Sequence, residues 1–109
     1  VLALSEAKVI GERAGVDPAL LFDTLSKGSA DSFALRNHGM KAMLPGVFPE
    51  RAFSTRYAMK DLSYALEMAA ESGLDVPGAQ LTMERLKKAE AAGYGENYHP
   101  VMLKVIDPQ

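Results

Sequence analysis

Apolar residues recur along this chain at intervals of three and four, and no segment alternates convincingly with period two. That spacing commits the chain to helices that each bury one stripe. Glycine and proline then cut the pattern into lengths. A first helix runs from about Val1 to Ala14 and stops at Gly15. Asp17-Pro18 opens a second, an N-cap followed by proline at the first helical position. It sends Leu20, Leu21, Phe22 and Leu25 toward a core and ends near Lys27-Gly28. Ser29 can cap a short third helix holding Phe33, Ala34 and Leu35, which Asn37-His38-Gly39 breaks. Residues 40–50, with Pro45-Gly46 and Pro49, read as a loop with at most a turn of helix near Lys41–Leu44.

Ser54 or Thr55 caps a fourth helix that runs to Ser72 and stops at Gly73, with Ala58, Leu62, Ala65, Leu66 and Ala69 as its stripe. Pro77 opens a fifth, with Val76, Ala79, Met83, Leu86 and Ala89 inward and a Glu84/Lys88 pair on the wet side. Gly93 and Gly95 end it, and His99-Pro100 starts a last helix carrying Val101, Met102, Val105 and Ile106. The expectation is an all-α bundle of about six helices over residues 1–109. The apolar residues Met40, Met43, Leu44, Val47 and Phe48 fall in or beside the loop. They are either a satellite core or an intersubunit patch, and the patch is the favoured reading. The pattern of the first helix is already running at Val1, with no capping residue ahead of it. The reading is that the chain is cut from a longer protein inside a helix.

A chain of 109 residues makes one domain, large enough to bury a core without staples. It has no cysteine, which excludes thiolate metal sites and fits a reducing compartment, cytoplasmic for a bacterial-type protein. A net charge of −2 argues against binding nucleic acid by counterion release, and no apolar run reaches the length of a membrane span. Residues 9–22 have the outline of a helix-turn-helix, but residues 17–26 offer Asp17, Asp23, Thr24 and Ser26 and no base-reading cation. An ordinary αα-corner accounts for them. His38 and His99 lack metal-ligand spacing and read as turn or cap residues. Ser29 and Ser32 have no histidine and acid partners for a nucleophilic triad. What remains is Lys60, early in a helix set up to be buried, just after the aromatic segment Arg51-Ala52-Phe53-Ser54-Thr55. A helical wheel puts Lys60 with Ser63, Tyr64, Glu67 and Glu71. From spacing alone it is a solvated cation paired with Tyr64 or Glu67, and the functional alternative is a cation at the edge of a cleft walled by Phe53. Asp61 sits where the helix dipole alone favours an acid.

The run Phe53-Ser54-Thr55-Arg56-Tyr57-Ala58-Met59-Lys60-Asp61-Leu62-Ser63-Tyr64-Ala65 resembles the Phe-x6-Lys-Asp-Leu-x-x-Ala segment of the β-hydroxyacid dehydrogenases. That family includes 3-hydroxyisobutyrate dehydrogenase and tartronate semialdehyde reductase, and its helical part is of the 6-phosphogluconate dehydrogenase C-terminal type. Ala14-Gly15-Val16-Asp17, Lys27-Gly28-Ser29-Ala30-Asp31-Ser32, Val76-Pro77 and Ala92-Gly93-Tyr94-Gly95 follow in the family's order. The resemblance spans nearly the whole chain and corresponds to the C-terminal domain. It implies an NAD- or NADP-dependent oxidoreductase acting on a small 3-hydroxy acid. The Rossmann domain that binds most of the cofactor, and the catalytic lysine of a Lys-x-x-Asn motif, would lie upstream of Val1. By the same resemblance Lys60 contacts the cofactor at the domain junction, Phe53 and Asp61 shape the substrate mouth, and Ser29 and Ser32 lie near the substrate. The parent would be a homodimer or higher homo-oligomer, and residues 1–109 alone would be inactive. The sequence departs from the family pattern at His99-Pro100, where a small polar cap is usual. The rival reading is a helical protein-interaction module without chemistry.

Overall fold

The structure is a computed structural model that describes residues 1–107. Six helices form in chain order, with no strand among the described residues. They are α1 (Leu2–Arg13), α2 (Pro18–Leu25), α3 (Leu35–Met43), α4 (Thr55–Glu71), α5 (Pro77–Ala89) and α6, a 3₁₀ turn (His99–Met102) running into Leu103–Ile106. The chain leaves α5 through a π turn, Glu90–Tyr94, that Gly93 closes at φ 98°. None of these helices is long and apolar enough to cross a membrane.

The expected starts hold at α2 and α4, and the expected stops at Gly15 and Gly73. Pro18 begins α2 behind Asp17, and Ser54 caps α4 by accepting the Tyr57 N–H. Gly15 and Gly73 turn the chain at φ 87° and 68°, conformations that cost a side chain roughly 1 kcal/mol or more. The expectation fails in the third helix. Asn37-His38-Gly39 does not break it, because α3 runs through all three residues as a π-helix. The Asn37 amide works along the helix, donating to the Phe33 carbonyl (2.9 Å) and accepting from Lys41 (3.1 Å). Gly39 is buried for a packing reason: a Cβ there would lie 3.1 Å from Phe22 Cε2. The N-terminal turn is held by Ser32 rather than Ser29, with the Leu35 N–H donating to Ser32 Oγ at 2.9 Å.

Phe22, Leu35, Ala42, Met43, Phe48 and Val101 form the core. This corrects two expectations. Met43 and Phe48 are core, and Met40 and Leu44 pack against it, so of the suggested intersubunit patch only Val47, 59% exposed, faces water. These residues belong to the main core, neither a satellite nor a patch, because the helix continues far enough to turn Met43 inward. Leu20, expected inside, is 59% exposed. α2 is two turns long and spends its inward face on Phe22, with Leu21 and Leu25 beside it. In the wet pair on α5, Glu84 lies 3.7 Å from Arg85. Gly39→Ala is expected to destabilise the chain by about 1–3 kcal/mol, since the added methyl presses on a fixed ring. An unchanged urea midpoint would contradict this.

α6 sits at the centre, with Pro100, Val101 and Met102 buried and contacts to α1, α3, α4 and α5. The segment before α4 is stitched to the segment before α6. The Tyr98 N–H donates to Pro49 O (2.8 Å), His99 N–H to Phe53 O (2.9 Å), Thr55 N–H to Asn97 O (2.8 Å) and Arg56 N–H to Gly95 O (3.0 Å). The Asn97 amide donates to Phe48 O at 2.8 Å. These bonds satisfy backbone groups that no helix serves, and they fix where Phe53 stands.

Candidate functional site

The N-terminal half of α4 carries three faces. Ala58 and Leu62 turn inward onto a cavity of about 550 Å³ shared with Leu86, His99 and Met102. Arg56, Met59, Lys60, Ser63 and Leu66 line an open groove, also about 550 Å³, against Met83 and Lys87 of α5. Tyr57 and Tyr64 stand out to solvent. Lys60 lies on the boundary between the groove and the tyrosine face. Its ammonium sits 5.1 Å from the centroid of Tyr57. The pairing expected with Tyr64 or Glu67 gives way to this one because helical side chains lean toward the N-terminus, onto the preceding turn.

Arg56 is already committed. Its Nε donates to Glu90 at 2.9 Å and its Nη1 donates to Glu96. These bonds raise its pKa above the usual guanidinium value. A Cβ at Gly95 would come within 2.8 Å of its Cζ, so glycine is what lets the guanidinium lie on the turn after α5. The network ties the start of α4 to the end of α5, and Lys60 and Lys87 stand as exposed cations on the two sides of the groove.

Phe53 is 44% exposed and sits one residue before the α4 cap. Tyr57 flanks its ring at 5.7 Å and His99 meets it edge-on at 5.3 Å. Phe53, Tyr57, Lys60 and Asp61 are thus gathered at one end of one helix, Asp61 exposed one turn beyond Tyr57. Ser29 and Ser32 are not brought to them. Ser29 is exposed in the turn after α2, and Ser32 caps α3.

The histidines were underestimated by spacing. They are sixty-one positions apart, and the fold sets their rings 4.7 Å apart. His38 shares a hydrogen bond with the Tyr98 hydroxyl through Nδ1. Phe33 closes the far side of His38 at 6.2 Å. The result is a row of edge-on rings from Phe33 through His38 and His99 to Phe53. No local motif announces it. The only signal was aromatic residues on both sides of the last helix start, in Tyr98-His99. Burial, and then His38, push the His99 pKa from 6.5 to about 4. Burial also raises Tyr98 and lowers His38.

The groups facing His99 are His38 from α3, Tyr98, and across the cavity Glu6 of α1. The unfolded chain binds a proton at His99 near pH 6.5, and the folded chain does not until about pH 4. Stability is therefore full above pH 6.5 and lost as pH falls toward 4. His99→Phe is expected to flatten this slope, which urea midpoints at several pH values would read. A variant with the wild-type slope would contradict it.

Residues 1–106 match the family described as NAD-binding of NADP-dependent 3-hydroxyisobutyrate dehydrogenase. The chain is similar to an uncharacterized oxidoreductase of Bacillus subtilis, 30% identical over 85% of this chain and 32% of that protein. It is similar to 2-hydroxy-3-oxopropionate reductase of Escherichia coli, 28% identical over 96% of this chain and 35% of that protein. Its fold is that of part of a 3-hydroxyisobutyrate dehydrogenase structure from Salmonella typhimurium, with TM-score 0.87 and 23% identity over 95% of this chain and 36% of that one. The chain thus spans about a third of the length of the curated relatives it matches. The family description names dinucleotide binding for the matched residues, where the sequence reading assigned that task mainly to a domain outside the chain.

Proposed function

We propose, from the premise that this chain belongs to the 3-hydroxyisobutyrate dehydrogenase NAD-binding family, that it is the helical C-terminal domain of an NAD(P)-dependent oxidoreductase acting on a small 3-hydroxy acid. The observation that carries this reading is the gathering of Phe53, Tyr57, Lys60 and Asp61 at the start of α4, beside an amphipathic groove. The residues there suit a dinucleotide. Lys60 offers an ammonium to a phosphate or amide, and Met59, Leu66 and Met83 offer apolar walls. When bound, the cofactor supplies the hydride acceptor.

The chain's own residues bind and orient. Lys60 holds the cofactor from the side of this domain. Phe53 walls the substrate mouth and Asp61 presents a carboxylate beside it. Ser29 and Ser32, the latter already serving as a cap, lie near the substrate in a lesser role. The general acid/base is the lysine of a Lys-x-x-Asn segment outside these residues, so residues 1–109 alone are inactive. The names of the relatives support a hydroxyacid oxidoreductase, since one of them reduces 2-hydroxy-3-oxopropionate. The parent works as a homodimer or larger homo-oligomer inside the cell, and Tyr64, Met68 and Leu74 give it exposed apolar surface for that assembly.

The test is turnover. The full-length parent, given a panel of short 3-hydroxy acids with NAD and with NADP, is expected to reduce one cofactor with at least one acid. No turnover with any acid, together with no cofactor binding, would overturn the reading.

A further inference from the structure

The ring of Phe53 meets a histidine that the rest of the fold holds in place. The ring is nearly half exposed and meets two other rings, Tyr57 and His99. Tyr57 is itself 56% exposed on the surface of α4. His99 is held from three directions. Its backbone N–H donates to Phe53 O at 2.9 Å. The three residues after it, Pro100, Val101 and Met102, are buried at the centre of the domain. Behind it stands His38, which is hydrogen-bonded to Tyr98 and braced by Phe33. The imidazole meets Phe53 with its plane 80° from the phenyl plane, the edge-to-face geometry in which a ring edge points at a π face. A small polar residue at the same position would keep the backbone bond and lose the ring.

We propose that His99 is a positioning residue, which fixes the ring of Phe53 at the substrate mouth and so sets the size of side chain a 3-hydroxy acid can carry. The inference rests on the reading of Phe53 as a wall of that mouth. His99 does not touch the reacting atoms. It acts through Phe53, with His38 and Tyr98 as the backing that keeps the imidazole in place. The observation that separates this from ordinary packing is the direction of support: the fixed ring belongs to α6, and the ring it fixes is the exposed one.

The experiment is a double-mutant cycle in the full-length parent, with folding of each variant checked by circular dichroism. His99→Ala is expected to raise substrate KM about tenfold, the size of effect seen when one apolar pocket contact is lost. It should leave kcat and cofactor affinity within about twofold. It should also narrow the ratio of kcat/KM between the smallest acid accepted and its branched analogue. His99→Phe, which keeps a ring edge against Phe53, should restore both values. In a Phe53→Ala background, His99→Ala should add nothing further. Additive effects of the two substitutions would overturn the inference. So would a failure of His99→Phe to rescue, or a loss in kcat rather than KM. A wild-type parent that turns over no hydroxy acid overturns the proposed function and this inference together. Turnover with an additive cycle overturns the inference alone.

Discussion

Replacing Phe22 by alanine is expected to cost about 3–5 kcal/mol of folding stability. Phe22 is fully buried at the centre of the core cluster. It is the largest side chain that α2, only eight residues long, contributes. The hole it leaves cannot collapse. On one side is the backbone of α3 at Gly39, already at the closest approach a missing side chain allows, and around it are Leu35 and Met43, both fully buried. α2 cannot slide inward either, because the Gly15 turn and Pro18 hold its start. A domain of this size has a net stability of about 5–15 kcal/mol, so the loss is a third or more of the total. Urea unfolding followed by circular dichroism measures it as a lower midpoint at unchanged slope. A loss below about 1 kcal/mol would mean that the ring is not the keystone of α2 packing.

Lys60→Ala, in the full-length parent, is expected to weaken binding of the reduced cofactor about 10–100-fold while leaving the fold intact. A hydrogen bond to a charged group contributes about 1.5–3 kcal/mol, and each 1.4 kcal/mol is tenfold in affinity. The fold should not notice. Lys60 is exposed, and its one contact of note is the Tyr57 ring at 5.1 Å, worth about 0.5–1 kcal/mol at an exposed site. Lys60→Arg keeps the charge but spreads it over a planar fork, so a partial loss is expected. Fluorescence titration of NADH and NADPH reads the change. Wild-type affinity in Lys60→Ala would remove Lys60 from the cofactor site. A fall in affinity matched by a fall in melting temperature would point to folding instead.

The helices were legible where the chain states its own punctuation. Asp17-Pro18, Ser54 with its Tyr57 N–H, and the glycines at 15 and 73 each carry a local reason to start or stop. Gly39 misled because the same residue type serves two ends. Here it makes room for Phe22 seventeen positions earlier, and nothing adjacent says so. Once α3 continues, Met43 turns inward, and the apparent surface patch becomes core. At the site, Phe53, Lys60 and Asp61 share one end of α4, as their spacing on one helix requires. The pairing of His38 with His99, and the lock of Arg56 on Glu90 and Glu96, join residues 34 to 61 positions apart. Such contacts are set by how α4, α5 and α6 seat against one another, which periodicity does not encode.

On the function proposed above, the start of α4 faces the cofactor and substrate of a dehydrogenase. Amide hydrogen exchange of the full-length parent, with and without reduced cofactor, tests it most directly. Exchange across residues 53–61 should slow when cofactor is bound, and Lys60→Ala should lose that protection. Cofactor binding that leaves residues 53–61 exchanging at the free rate would contradict it.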